Sequence, residues 1–96
     1  MKVTIRQKSG MKYLYADIQV SGLRYKSTLG ISVNDGVFNL EKQCVEGGTN
    51  TETNILISSF KKNILDTVRR LQIDGELSLA CLTLAFKQIR DRLTSG

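Results

Sequence analysis

With 96 residues the chain is one domain with room for a small core, and the absence of histidine excludes His-based acid/base catalysis, Ser-His and Cys-His nucleophiles and His-ligated metals. No apolar run approaches the roughly 18–20 residues that cross a bilayer. The acidic residues are scattered, so a stand-alone enzyme is not expected, and no metal, cofactor, membrane or small-molecule substrate is implied. The formal charge of +5 lies entirely in residues 1–30, which hold Lys2, Arg6, Lys8, Lys12, Arg24 and Lys26 against Asp17 alone; residues 31–96 hold eight basic and eight acidic side chains. Such asymmetry points to a polyanion partner, most simply nucleic acid.

The N-terminus, MKVTIRQKSG, has no apolar h-region and is not read as a signal peptide, which favours the cytoplasm. Lys2–Lys8 reads as a strand with Val3 and Ile5 on one face and Thr4, Arg6 and Lys8 on the other. Ser9-Gly10 marks a turn. Lys12–Val20 is a second strand, rich in aromatic and β-branched residues. Ser21-Gly22 closes a second hairpin, and Leu23–Leu29 is the third strand, ended by Gly30. The expected unit is a three-stranded antiparallel meander with one packed face: Val3, Ile5, Leu14, Ala16, Ile18, Tyr25 and Leu29. A one-residue slip of the third strand would exchange its faces.

Residues 30–49 read as a loop, with Asn34-Asp35-Gly36 a turn signal and Gly47-Gly48 a break. Val33, Val37, Phe38 and Leu40 are expected to fold back on the core edge. Nineteen or so loop residues are many for a compact domain, and a short strand within them is compatible with the pattern. A helix over residues 50–73 follows, with Thr49 and Glu52 as a capping box or Thr51 as the alternative cap. Leu56, Ile57, Phe60, Ile64, Val68 and Leu71 form its apolar stripe, and Asp74-Gly75 its stop. Ser78 caps a second helix, Leu79–Leu93, striped by Leu79, Leu82, Phe86, Ile89 and Leu93. The chain then ends at Thr94-Ser95-Gly96. That helix either packs back or serves a neighbouring domain. The two cysteines, Cys44 and Cys81, sit in no CxxC or Cys/His spacing and read as reduced thiols, Cys81 helical and partly buried. The fold class is α+β: a sheet packed on a long helix, with a second C-terminal helix, in the order βββαα.

The other sheet face then carries Thr4, Arg6, Lys8, Tyr13, Tyr15, Asp17, Gln19, Arg24, Lys26 and Thr28. This inventory suits duplex DNA. Arg6 and Arg24 can read guanine edges, Thr4 and Thr28 can meet small groove features, and Lys8, Lys12, Lys26, Tyr13 and Tyr15 can position the backbone. Lys12 falls on the apolar face by parity, but its long stem can swing to the rim. Asp17, among these cations, could orient one of them. The plain alternative is a small sheet that keeps its solvent face polar, with Tyr13 and Tyr15 as a cross-strand cluster. Stacking on these tyrosines would suit single strands, yet RNP-type motifs are missing and βββαα matches neither an RRM nor a double-stranded-RNA module. A protein-interaction module built on the sheet edge or the C-terminal helix is the other candidate.

The run YLYADIQVSGLRYKSTLGISV, then VFN, a Gly-rich gap and NILISSFKKNILDTV resembles the N-terminal arm-type DNA-binding domain of tyrosine recombinases. More narrowly, it is similar to integrases of conjugative transposons in Bacteroides-type bacteria. Tyr15–Val20 with Gly22-Leu23-Arg24 fill that family's hairpin, Leu29-Gly30 its strand end, and Phe38-Asn39 stands where Trp-Asn is common. Ala16 also departs from a larger apolar residue; both departures read as core changes. The resemblance implies a non-catalytic domain (1–75) that recognises arm-type accessory sites during integration and excision, through a sheet in the major groove. Arg24 carries over first, then Arg6, Lys8 and Lys26. It further implies that residues 76–96 connect toward a core-binding domain, that catalysis lies elsewhere in a longer parent, and that the parent meets other recombinase protomers on the bacterial nucleoid.

Overall fold

The computed structural model describes residues 1–33 and 35–94. Asn34, part of the expected turn, and Ser95–Gly96 lie outside them. In chain order the elements are β1 (Lys2–Gln7), β2 (Tyr13–Val20), β3 (Leu23–Ser32), β4 (Val37–Asn39), β5 (Cys44–Glu46), α1 (Thr51–Ile73) and α2 (Leu79–Thr94). The first three form an antiparallel sheet in the order β1-β2-β3, and β4 and β5 form a separate antiparallel pair. The α+β class and the βββ…αα order are as the hydrophobic pattern requires.

The register sets the faces. Val3 pairs with Ile18 and Ile5 with Ala16; Ile18 pairs in turn with Tyr25, and Val20 with Leu23. Directly opposed residues share a face, so the packed side is the expected one. Ile5, Leu14, Ala16, Ile18 and Leu29 are fully buried there. The third strand runs three residues beyond its expected end at Leu29. A register shift lets it continue: Tyr15 faces Thr28 but Tyr13 faces Ser32, so β3 carries the surplus residues. Gly30 sits at this shift with φ of 72°, a conformation that glycine adopts without Cβ cost. Past the bulge, Ile31 and Val33 return to the core.

Both helices lie on the apolar side, α1 toward β1 and β5, α2 toward β3 and against α1. Ile57, Phe60, Ile64 and Val68 of α1 and Leu82, Ala85, Phe86 and Ile89 of α2 are buried. Phe86 is the junction: its ring meets Tyr25 edge-on at 5.2 Å between centroids and Phe60 at 5.3 Å, a favoured geometry for aromatic pairs. The second helix therefore packs back into the same core, although Leu79, placed in its stripe from the sequence, is 49% exposed. Its start is as expected, with the Cys81 N–H donating to Ser78 Oγ at 3.2 Å. The end of α1 is also as expected. The N–H of Glu76 reaches Leu71 O and that of Gly75 reaches Gln72 O, with Gly75 at φ 70°, the αL residue this termination requires.

Residues 30–49 differ from the expected loop. They contain the β4–β5 hairpin, with Phe38 opposite Val45 and both buried, while Val37 and Leu40 are exposed rather than folded onto the core edge. Two side-chain amides tether this hairpin. Gln43 Oε1 accepts the Ile5 N–H at 2.6 Å and Gln43 Nε2 donates to Ile5 O at 3.0 Å, so one amide stands in for a neighbouring strand on the outer edge of β1. Asn54 of α1 does the same to β5, accepting from Val45 N at 2.7 Å and donating to Val45 O at 3.0 Å. The N-cap of α1 is Asn50, not Thr49 or Thr51, and its side chain does not cap the helix. The amide turns instead to the loop and donates to Asp35 O and Gly47 O. That choice overrides the local capping-box pattern: the buried Asn50 amide ties two turns of the loop together instead of capping the helix.

Candidate nucleic-acid interface

The solvent face of the sheet is a grid of three transverse rows, each crossing β1, β2 and β3. The rows are Lys2, Gln19 and Arg24; Thr4, Asp17 and Lys26; and Arg6, Tyr15 and Thr28. Strand alternation alone puts these nine side chains on one side. Arg24, Lys26, Gln19, Thr28 and Lys2 are exposed; Thr4, Arg6 and Tyr15 are half-buried. Both helices pack on the opposite side, leaving this face to solvent.

Asp17 occupies the centre of the grid and is only 2% exposed. A buried carboxylate requires partners, and its neighbours supply them. Arg24 Nε donates to Oδ1 at 3.3 Å and Nη2 donates to Oδ2 at 3.0 Å, a two-pronged contact from β3. Arg6 Nε approaches Oδ2 from β1 at 3.7 Å. The hydrogen-bonded Arg24 guanidinium holds the Asp17 carboxyl below the usual carboxylate range; burial pushes the other way, and the charges of Arg24, Lys26 and Arg6 add to the lowering. Asp17 in turn reinforces the charged form of Arg24. The centre of the face is thus a fixed anion ringed by cations whose outer surfaces stay wet.

Of the residues expected at the site, Thr4, Arg6, Tyr15, Arg24, Lys26 and Thr28 come together on the grid. Thr28 has a local task as well: its hydroxyl accepts the Gly30 N–H at 3.3 Å and donates to Leu14 O at 3.5 Å, bracing the bulge. Tyr13 begins β2 beyond that bulge, 53% exposed, and among the described residues neither Tyr13 nor Tyr15 stacks on another ring. Lys8 and Lys12 belong to the exposed β1–β2 connection rather than to the grid. That connection is closed by Lys8 N–H to Tyr13 O at 3.0 Å and by Gln7 Nε2 to Met11 O at 3.0 Å. Lys2 was not among the expected site residues, yet it shares the parity of Thr4 and Arg6, a signal the sequence does carry. At the other margin, Phe38 and Leu40 of the hairpin enclose with Arg6, Gln7 and Tyr15 a cavity of about 220 Å³. Among the described residues no group of three or more His, Cys, Asp or Glu side chains could hold a metal ion, and no helix is long and apolar enough to cross a membrane.

A family model described as an Arm DNA-binding domain matches residues 3–84. The chain belongs to the Arm DNA-binding domain family. No curated protein and no solved structure matches it. The match runs from β1 into α2, so the sheet, the hairpin and the long helix all belong to the arm domain. As an arm DNA-binding domain, the chain is a non-catalytic module whose partner is double-stranded DNA, in keeping with a sheet face that sets Lys2, Arg6, Arg24 and Lys26 against Asp17 alone.

Proposed function

We propose that this arm domain serves a tyrosine recombinase of a mobile element, recognising arm-type accessory sites in duplex DNA during integration and excision. The sheet lies in the major groove, with Arg6 and Arg24 toward base edges and Thr4 and Thr28 as small groove contacts. Lys8, Lys12, Lys26, Tyr13 and Tyr15 meet the backbone. Residues 1–75 form the binding unit, and residues 76–96 double as a core helix and a connector toward a core-binding domain. The parent works in the bacterial cytoplasm on the nucleoid, beside other recombinase protomers. The single observation that carries this reading is the grid, which holds Lys2, Arg6, Arg24 and Lys26 around Asp17 on one solvent-facing sheet surface.

The rival reading is a protein-interaction module that adds a strand to the sheet edge. It loses force at β1, where the Gln43 amide already occupies the outer backbone groups of Ile5. An electrophoretic titration decides between the two. Duplex carrying the element's end sequence and a scrambled duplex are compared at two salt concentrations. Tighter binding of the end sequence, weakening steeply with salt, is expected. Equal affinity for both duplexes removes arm-site recognition. No shift at about 50 mM salt removes duplex binding altogether and leaves the protein-partner reading.

A further inference from the structure

We infer that Asp17 is a positioning residue that aims Arg24 at a guanine. The inference rests on the sheet being the DNA-contacting face and adds to it the base and the device. A guanidinium has five N–H donors in two planar forks. Asp17 takes the side fork of Arg24, Nε at 3.3 Å and Nη2 at 3.0 Å. It is the only hydrogen-bond partner of Arg24 among the described residues. The end fork, one N–H on Nη1 and the second on Nη2, stays free, and Arg24 keeps 56% of its side-chain surface open. A two-pronged donor matches the O6/N7 acceptor pair of guanine in the major groove.

Phosphate oxygens could also accept an end fork, but position argues for a base. Asp17 sits on the central strand and Arg24 on an outer one, so the contact draws the guanidinium inward over the middle of the sheet. Phosphates line the margins of a groove and base edges its floor. Among the described residues the margin cations, Lys2 and Lys26, have no partner of this kind, and they suit the backbone. Two side chains locked to each other also leave little rotamer freedom to lose on binding, which turns a flexible cation into a reader of one geometry.

The test uses the full chain and duplexes drawn from a randomised library by the wild-type protein. The enriched guanine position is then replaced by 7-deazaguanine, which removes N7 alone, or by adenine. Wild type is expected to lose about 5- to 150-fold on the adenine change, the range of one good bidentate contact, and to lose part of it on the 7-deaza change. Asp17→Asn should erase most of that discrimination while affinity for scrambled duplex holds or rises, because a negative charge has left the face. A purely structural role for Asp17 would weaken all duplexes together. Arg24→Lys keeps the charge but lacks the fork, so it should mimic Asp17→Asn, and the double variant should add nothing further. Circular dichroism confirms folding; if Asp17→Asn does not fold, Arg24→Lys alone decides. Full discrimination in a folded Asp17→Asn or in Arg24→Lys overturns the proposal, as does indifference of wild type to 7-deazaguanine with a normal salt slope, which would mark a phosphate contact. Unchanged binding in Arg24→Ala and Lys26→Ala would instead strike the sheet reading itself.

Discussion

Arg6 and Arg24, on the two outer strands, converge on the same carboxylate oxygen, Oδ2 of Asp17, at 3.7 and 3.0 Å. Neither arginine is directly opposite Asp17 in the register; each reaches it along a diagonal from a corner of the grid. The sheet thus brings together two cations that lie eighteen positions apart in the chain, and one anion offsets the repulsion between them.

This arrangement gives stability a pH dependence of fixed sign. The folded-state pKa of Asp17 is lowered, so its contribution is fully present above the ordinary carboxylate pKa of about 3.9 and is lost as pH falls through the folded value. The urea midpoint of wild type should exceed that of Asp17→Asn near neutrality, and the gap should close from about pH 5 downward. A gap that is constant between pH 6 and pH 3 would contradict the lowered pKa.

The margin cation Lys26 makes a separate expectation. It is exposed, opposite Asp17 across the β2–β3 pair. Lys26→Ala should weaken enriched and scrambled duplexes alike and lower the magnitude of the log K against log salt slope by about one. Fluorescence anisotropy at four or five salt concentrations measures it. A sequence-dependent loss would mean that Lys26 reads bases.

The amide tethers are testable without DNA. Gln43→Ala leaves the Ile5 N–H and C=O without their partners, and Asn54→Ala does the same at Val45. Each should cost about 1–3 kcal/mol in urea unfolding, the range for unmade bonds at partly buried backbone groups. The double variant should fall short of additivity, because either loss alone already loosens the same hairpin.

Phe86→Ala empties the junction between Tyr25, Phe60 and the second helix. A loss of about 3–5 kcal/mol is expected, a large fraction of the stability of a domain this size. Phe86→Leu should cost clearly less. Thermal denaturation followed at 222 nm separates them, and an unaffected Phe86→Ala would show that α2 is not part of the cooperative unit.

Strand parity made most of the site readable before any coordinates. Val3, Ile5, Leu14, Ala16 and Ile18 must face inward, so Thr4, Arg6, Tyr15 and Asp17 must face out, and Tyr25 in the core fixes Arg24 and Lys26 beside them. The bulge at Gly30 was not readable, because Leu29-Gly30 looks like a strand end unless Ile31 and Val33 are seen to rejoin the core. Nor was the hairpin. Strands of three residues carry almost no periodic signal, and what holds them is long-range: Gln43 bonds a residue thirty-eight positions away. Thr49 and Glu52 spell a cap in local sequence, and a turn built from Asp35 and Gly47 claimed Asn50 for other work. The Arg24–Asp17 fork lay between the two: strand alternation put both residues on one face, and only the register shows that they meet on a diagonal.

The Gln43 amide also fixes a breadth. Neighbouring strands lie about 4.8 Å apart, so three of them measure about 10 Å from outer backbone to outer backbone, against a major groove about 12 Å wide. A fourth strand added alongside Ile5 would bring the slab to about 14 Å and wedge it at the groove mouth. By meeting the outer backbone groups of Ile5 with a side-chain amide instead of a paired strand, the hairpin keeps the sheet at three strands, a breadth that suits the groove entry proposed above.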